Sequence, residues 1–191
     1  MKPKGDVTVQ ELTPAERTVA RRAAEARATV PDVEMSVALG PDERPQTPAL
    51  IQACALALRE HPRANASYRD GHFELHSRVN VGVILTTGEL YLVPTIFDAD
   101  QKEPVDIAQE LADLHDQVAQ GQIPASTFSG ATFTLWNAAA DGLARASIPV
   151  VPPQAAALAA GTESLTLVCD HRILYGAQAA GFLRSVQQQL E

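Results

Sequence analysis

The sequence predicts an α+β domain in which a mixed sheet is flanked by helices. Helical patterns with an apolar stripe or an apolar surface occur at residues 13–27, 49–60, 104–120 and 177–190. Short alternating or apolar runs typical of strands lie between them, at 33–39, 73–75, 79–86, 90–96, 132–136, 155–159 and 165–169. Helices and strands interleave without a regular βαβ repeat, so a mixed sheet fits better than a parallel one.

The composition is that of one globular domain. The chain has 191 residues, of which 46% are hydrophobic and 20% charged, and this length allows a sizeable core. A net charge of −8 argues against a general nucleic-acid binder, because binding phosphates needs a clustered basic face. The start of the chain lacks the apolar segment of a signal peptide, and no run is long enough to cross a membrane. We therefore expect a cytoplasmic, soluble protein with no nucleic-acid or membrane partner.

The first half of the chain opens with a polar arm, residues 1–12, in which 7–9 is predicted as a short strand. Thr13 and Glu16 have capping-box spacing, so we expect the first helix to begin here and to stop at Pro31. The next strand, 33–39, alternates apolar and polar residues and is predicted to be half-buried.

A polar loop, 40–48, then leads to a helix that we expect Thr47 to cap. This helix is apolar almost all round, so it is predicted to be central.

The second half contains a predicted strand pair and a third helix. Residues 79–86 form one long apolar run, and a turn at 87–89 leads to the run 90–96, which indicates a hairpin. The helix at 104–120 is amphipathic, with apolar residues at helical spacing: Val105, Ile107, Ala108, Leu111, Leu114 and Val118.

The cysteines and histidines outside the last strand give weak signals. Cys54 and Cys169 form no disulfide framework and no metal-binding spacing, so buried reduced thiols are the simplest interpretation. His72 and His76 would share one face of a strand, but without a third ligand we predict no metal site.

The strand at 165–169 ends in three ionisable residues, Asp170, His171 and Arg172, and a turn at Tyr175-Gly176 then opens the last helix. A histidine at the end of a core strand is held rigidly and can face a cleft, where a general base belongs. The alternative is a hydrogen-bonded histidine with a purely structural role, and the strand-end position by itself favours this alternative, because histidine is intermediate in burial and often structural.

Five blocks of the chain resemble, in order, the catalytic domain of the dihydrolipoamide acyltransferase component of 2-oxo acid dehydrogenase complexes. Its relative with the same fold is chloramphenicol acetyltransferase. The blocks are VNVGV (79–83), LVPTIFDADQK (92–102), GATFTLWN (130–137), PPQAAALAAG (152–161) and DHRILYGA (170–177). The resemblance covers nearly the whole chain. It implies a mixed sheet flanked by helices, assembled as trimers with active sites in channels between subunits.

The resemblance also implies a chemistry, the transfer of an acyl group between a lipoyl thiol and coenzyme A. His171 occupies the position of the general base. The family's oxyanion-stabilising serine corresponds to Trp136, and its supporting Asp or Asn corresponds to Tyr175, so two of the three catalytic roles are substituted. The predicted substrate-binding or positioning residues around His171 are Trp136, Asn137, Asp170, Arg172 and Tyr175. We expect the family reaction to be weakened or lost, since losing one oxyanion donor costs about 100- to 1000-fold in rate.

The resemblance also predicts the organisation of the chain. Residues 13–191 are expected to form a single acyltransferase-like domain, with no lipoyl domain and no peripheral-subunit-binding domain. The loops at 40–48 and 162–164 are shorter than in the family, and the last five residues lack the apolar tail through which family trimers dock into cubic cores. A free homotrimer is therefore expected.

Two functional hypotheses remain open. The first is a coenzyme A-dependent acyltransferase that uses coenzyme A or acyl-CoA as a substrate, with no covalent lipoyl group and no metal. The second is a non-catalytic trimeric scaffold or regulatory module, a pseudoenzyme. It would bind 2-oxo acid dehydrogenase components or other proteins.

Overall fold

The computed structural model describes residues 5–40, 43–87, 90–120 and 122–190. Its helices are α1 Pro14–Thr29, α2 Thr47–Glu60, α3 Pro104–Ala119 and α4 Gly176–Gln188. Its strands are β1 Asp32–Ala38, β2 Ala66–Arg69, β3 His72–Leu75, β4 Val81–Val83, β5 Leu85–Thr87, β6 Leu90–Leu92, β7 Thr95–Ile96, β8 Phe133–Asn137, β9 Ala156–Ala160 and β10 Ser164–Asp170. No helix in these ranges has the length and apolar character needed to cross a bilayer.

Six of the strands form one mixed sheet in the order β1-β10-β9-β8-β4-β7. Strands β4, β8 and β9 are parallel neighbours, whereas β1, β10 and β7 pair antiparallel with theirs. Two small hairpins, β2-β3 and β5-β6, stand apart from this sheet. The predicted mixed sheet flanked by helices is confirmed.

The main core lies between one face of the sheet and the helices. Helix α2 is the central element, in contact with α3 and α4, and it buries seven of its residues: Leu50, Ile51, Ala53, Cys54, Ala55, Ala57 and Leu58. Alternate residues of β8 and β10, among them Phe133, Leu135, Leu165 and Leu167, point into the same core. The prediction of a central apolar helix is confirmed.

A smaller apolar cluster covers part of the opposite face of the sheet. Ile148 and Val150, in the segment 143–151 that has no regular secondary structure, pack with Ala157 and Val168 of the sheet. Two hydrogen bonds tie the start of this segment to the β9-β10 turn, from Thr162 N–H to Leu143 O and from Glu163 N–H to Ala144 O. Gly161 allows this close approach: a Cβ there would lie 2.2 Å from the carbonyl oxygen of Ala144.

The N-terminal signals of the helices are largely confirmed. In α1 the Thr13 hydroxyl accepts from Glu16 N–H and the Glu16 carboxylate accepts from Thr13 N–H, which is the expected capping box. In α2 the cap position is Gln46, one residue before the predicted Thr47. In α3 Val105 is exposed although its spacing placed it on the apolar face, because it lies in the first turn beyond the reach of the core.

The strand predictions need three corrections. Residues 7–9 form no strand, because no strand of the described ranges pairs with them, and Val7 and Val9 are about four-fifths exposed. The runs 79–86 and 90–96 do pair antiparallel as predicted, but each is divided into two strands, β4 with β5 and β6 with β7, which belong to different sheets. Strand β2 was not predicted at all, because its short sequence is defined only by pairing with β3. The turn predicted at 87–89 lies largely outside the described residues.

Both cysteines are buried free thiols, as predicted. Burial raises the pKa of the Cys54 thiol far above its ordinary value, and burial together with the charge of Asp170 raises the pKa of Cys169 to about 11.

Candidate active site

The residues after β10 are held by a buried ion pair. Asp170 is only 2% exposed, and its carboxylate accepts from Nε of Arg172 at 2.9 Å, from Nη2 at 2.6 Å and from the backbone N–H of Arg172 at 3.0 Å. The hydrogen bonds that the Arg172 guanidinium donates to the Asp170 carboxylate raise its pKa. The guanidinium also lies over the Tyr68 ring, 4.3 Å from its centroid. These contacts fix the turn at both ends of the intervening residue.

That intervening residue, His171, is exposed in the single chain. Its backbone N–H donates to Pro31 O at 3.0 Å, and its ring stands at 89° to the Tyr175 ring with the centroids 6.0 Å apart. The Tyr175 hydroxyl in turn donates to Arg172 O at 3.4 Å. His171 is therefore held at its backbone while its imidazole stays open to solvent, as a group that accepts a proton from a bound substrate requires.

A depression of about 500 Å³ opens at the same end of the sheet. It is lined by residues before β4, β8 and β9 and by the β2-β3 hairpin: Ser67, His76, Ser77, Arg78, Asn80, Gly130, Ala131, Thr132, Pro153 and Gln154. Two of these lining residues are chain neighbours of residues that contact the His171 turn. Ser67 precedes Tyr68, whose ring lies against the Arg172 guanidinium, and Gln154 precedes Ala155, whose carbonyl oxygen accepts from Asp170 N–H. His171 itself is not among the residues that line this depression.

Trp136 lies at the opposite end of the sheet. It is half-buried against the apolar cluster of the second face, and its indole Nε1–H donates to the Asp141 carboxylate at 3.2 Å. The single polar hydrogen of this side chain is thus already used, and it is paired with a negative charge.

The strand register shows that Trp136 and His171 do not share a site within one chain. Trp136 pairs with Ala159 of β9, and Ala159 pairs with Thr166 of β10. His171 lies five residues beyond Thr166, so the strand rise and two strand spacings put Trp136 and His171 roughly 15–20 Å apart. Only a second copy of the chain could bring a Trp136 to this His171.

Asn137, next to Trp136, is almost fully buried. Its amide Nδ2 donates to Pro45 O at 3.2 Å and to the Thr47 hydroxyl at 3.0 Å, which attaches the end of β8 to the start of α2. Its Oδ1 is buried and has no hydrogen-bond partner among the described residues. Substrate contact by Asn137 stays a prediction.

The structure adds two side chains that the sequence did not single out, Tyr68 and Arg63. Tyr68 supports Arg172, and the Arg63 guanidinium lies 5.9 Å from the centroid of the Tyr175 ring. Neither residue belongs to a recognisable motif. Tyr68 belongs to the β2-β3 hairpin, which the sequence did not predict, and Arg63 lies just before it in the chain.

The histidines on that hairpin are separate from one another. His72 lies near Glu74, at 3.9 Å, whereas His76 follows β3 and its Nε2 is 2.8 Å from the Ser67 hydroxyl. Within the described ranges no three His, Cys, Asp or Glu side chains come close enough to hold a metal ion.

Comparison with known proteins connects this arrangement to a family. The model of the 2-oxoacid dehydrogenases acyltransferase catalytic domain matches residues 42–191. Component 2 of the Arabidopsis thaliana mitochondrial pyruvate dehydrogenase complex, a dihydrolipoyllysine-residue acetyltransferase, is 31% identical over 162 residues, which are 74% of this chain and 30% of that protein. The corresponding Corynebacterium glutamicum protein is 31% identical over 167 residues, which are 75% of this chain and 25% of that protein. The chain thus spans less than a third of these relatives.

Solved structures agree on the fold. The Azotobacter vinelandii dihydrolipoamide acetyltransferase superposes with a TM-score of 0.92 at 22% identity, covering 99% of this chain and 93% of that one. That structure comes from a study of a serine, a histidine and an asparagine in its catalytic mechanism. A chloramphenicol acetyltransferase superposes with a TM-score of 0.58 at 15% identity, covering 90% and 94% of the two chains. Because the family model matches most of this chain, residues 42–191, the chain belongs to the family of 2-oxoacid dehydrogenase acyltransferase catalytic domains.

Proposed function

We propose that this chain is a coenzyme A-dependent acyltransferase that moves an acyl group between two thiols, with His171 as the general base. The observation that carries the proposal is the position of His171, exposed at a strand end between Asp170 and Arg172, in a chain whose family is that of the acyltransferase catalytic domains. The buried ion pair fixes the turn, and the imidazole itself stays accessible.

The reaction requires one proton to move twice. The neutral imidazole of His171 takes the proton of the attacking thiol, and the thiolate adds to the thioester carbonyl carbon. The tetrahedral intermediate then collapses, the bond to the first sulfur breaks, and the departing thiolate takes the proton back from His171. Asp170 acts as a positioning residue, because its contact is with Arg172 and not with His171.

The weak point of the site is stabilisation of the oxyanion. Trp136 stands where the family has a serine hydroxyl, and its N–H is already bonded to Asp141. A carboxylate beside the developing negative charge disfavours it further. We expect turnover to be about 100- to 1000-fold slower than with a serine at this position.

The site also needs more than one copy of the chain. Because Trp136 and His171 are roughly 15–20 Å apart within a subunit, a channel lined by both requires a neighbouring subunit. We propose a homotrimer. An oligomer is supported by one of the structural neighbours, the cubic core of the pyruvate dehydrogenase complex, on which this chain superposes with a TM-score of 0.92. Sedimentation should then give three times the chain mass of 20.4 kDa. Whether such a trimer joins 2-oxo acid dehydrogenase components, and whether it is cytoplasmic, stay predictions.

The test is an exchange assay with acetyl-CoA and dihydrolipoamide, in which the release of coenzyme A is followed. We expect slow turnover by the wild type and about 100-fold faster turnover by Trp136→Ser, which restores a hydroxyl and releases Asp141. His171→Ala should lose at least about 100-fold. His115→Ala is the matched control, since His115 is another exposed histidine, on α3, far along the chain from the site.

Two outcomes would overturn the proposal. If His171→Ala reacts as fast as His115→Ala, His171 is not the base. If neither the wild type nor Trp136→Ser turns over acetyl-CoA, and titration calorimetry shows no binding of coenzyme A, acyl transfer is refuted. The non-catalytic scaffold gains no support from the comparisons, because the relatives that match along most of the chain are acetyltransferases.

A further inference from the structure

One face of the β2-β3 hairpin carries two arginine side chains on two aromatic rings. Tyr68 and Phe73 are directly opposite each other in the hairpin, so their rings lie on the same face. The Arg172 guanidinium lies 4.3 Å from the Tyr68 centroid, and that of Arg63 lies 4.9 Å from the Phe73 centroid. The hairpin thus places two cations side by side next to the His171 turn.

The two cations differ in their electrostatic partners. The Asp170 carboxylate neutralises Arg172 through several short hydrogen bonds. Arg63 makes no ion pair with any carboxylate of the described residues, and its polar contact is the neutral amide oxygen of Gln178 at 3.4 Å. A half-buried guanidinium with five donors and one weak partner keeps most of its capacity to bind an anion.

Arg63 is also connected to His171 through one shared ring. The Tyr175 ring has the Arg63 guanidinium 5.9 Å from its centroid and the imidazole of His171 at 6.0 Å. Tyr175 and Gln178 are exposed, so this side of the guanidinium faces solvent. An anion bound here would sit about one aromatic ring away from the reacting thioester.

We propose that Arg63 recognises a carboxylate on the substrate of the acyl transfer proposed above, on which this inference rests. The substrate class is an acyl-CoA whose acyl chain ends in a carboxylate, or a thiol acceptor that carries one. The planar guanidinium binds a carboxylate through two parallel hydrogen bonds, and the rings of Phe73 and Tyr175 hold it in place for that contact. Arg63 is then a specificity-determining residue, and His171 remains the base.

The test compares matched ligands that differ only in this carboxylate. Titration calorimetry would compare the binding affinities of succinyl-CoA and butyryl-CoA, and those of dihydrolipoate and dihydrolipoamide. Each pair would be measured with the wild type, Arg63→Gln and Arg63→Lys. The acidic member of one pair should bind the wild type about 10-fold more tightly than its neutral counterpart, and the pair that does so identifies which substrate carries the carboxylate. Arg63→Gln should abolish this preference, and Arg63→Lys should keep part of it.

Arg69→Gln is the control, because Arg69 is an exposed arginine on the hairpin that follows Arg63, and it pairs with Glu74 at 3.6 Å. It should leave the preference unchanged. Equal binding within both pairs by the wild type would refute the inference while leaving acyl transfer intact. Equal weakening of all coenzyme A ligands in Arg63→Gln would also refute it, because the contact would then be to the coenzyme A phosphates. Failure of every ligand to bind would refute both proposals, and near-ultraviolet circular dichroism of each variant excludes unfolding as the cause.

Discussion

Replacing Gly161 by alanine should destabilise the domain through a single close contact. The added Cβ would lie 2.2 Å from the carbonyl oxygen of Ala144 and 2.9 Å from Cα of Arg145. Both atoms belong to the backbone, so no side chain can rotate away, and one of the two segments must move by about 1 Å to restore an ordinary contact distance.

The cost can be worked out from what that movement disrupts. The two hydrogen bonds that hold the segment at this turn, from Thr162 N–H to Leu143 O at 2.8 Å and from Glu163 N–H to Ala144 O at 3.1 Å, contribute about 1 kcal/mol each. Residual overpacking adds about 1 kcal/mol or more. We expect the free energy of unfolding to fall by about 3 kcal/mol, which for a domain of this length corresponds to a Tm lower by about 6–12 °C.

The assay is chemical and thermal unfolding at one fixed protein concentration, since an oligomer's stability depends on concentration. Gly176→Ala is the matched control: it makes the same chemical change at the first residue of α4, where an added Cβ meets nothing within 4 Å. That variant should be neutral or slightly stabilised, because alanine restricts the unfolded chain and favours helix. If the free energies of unfolding of Gly161→Ala and Gly176→Ala differ by less than about 0.5 kcal/mol, the segment does not pack tightly against the turn and the reasoning is refuted.

Three further predictions concern charges and thiols. Asp170→Asn should leave Arg172 half-buried without its counter-ion, lowering the free energy of unfolding by about 2 kcal/mol and slowing acyl transfer, and equal stability in urea titrations would contradict the buried pair. Hydrogen bonds from Arg78 hold the pKa of Asp98 below its ordinary value of 3.8, so its stabilising contribution is present at neutral pH and disappears as the pH falls through that lowered pKa. The stability difference between wild type and Asp98→Asn should therefore shrink towards pH 3, and a difference constant from pH 6 to pH 3 would exclude this pair as its source. Both buried thiols should resist an aromatic disulfide reagent at pH 8 in the native protein and react after unfolding, and rapid labelling of the folded chain would show that they are accessible.

The local chemistry of the sequence was sufficient for most helices. The capping-box spacing of Thr13 and Glu16 located the start of α1, and the apolar periodicity located α2 and α3, because these signals act within one or two turns. The apolar run that ends at Asp170 likewise identified β10 and the exposed histidine after it. These features depend on neighbours in the chain, which the sequence contains directly.

The sequence did not determine how the strands pair. The run 79–86 is mostly apolar, but it contains two strands, β4 and β5, that belong to different sheets. Ile84 lies between them, and its N–H donates to Leu135 O of β8. An apolar run encodes burial but not register, so the division into β4 and β5 could not be predicted from it. Strand β2 was missed for the same reason, and with it the support that Tyr68 gives to Arg172.

The site itself divides in the same way. The motif around His171 and the substitution of Trp136 are properties of the sequence, because each is recognised from its immediate neighbours. Only the tertiary structure decided that these two residues lie at opposite ends of the sheet and that Trp136 donates its N–H to Asp141. It also decided that Arg63 and His171 both lie against the Tyr175 ring, and that Arg63 has no carboxylate partner among the described residues. Distances between residues far apart in the chain are set by strand register and packing, and no local pattern carries that information.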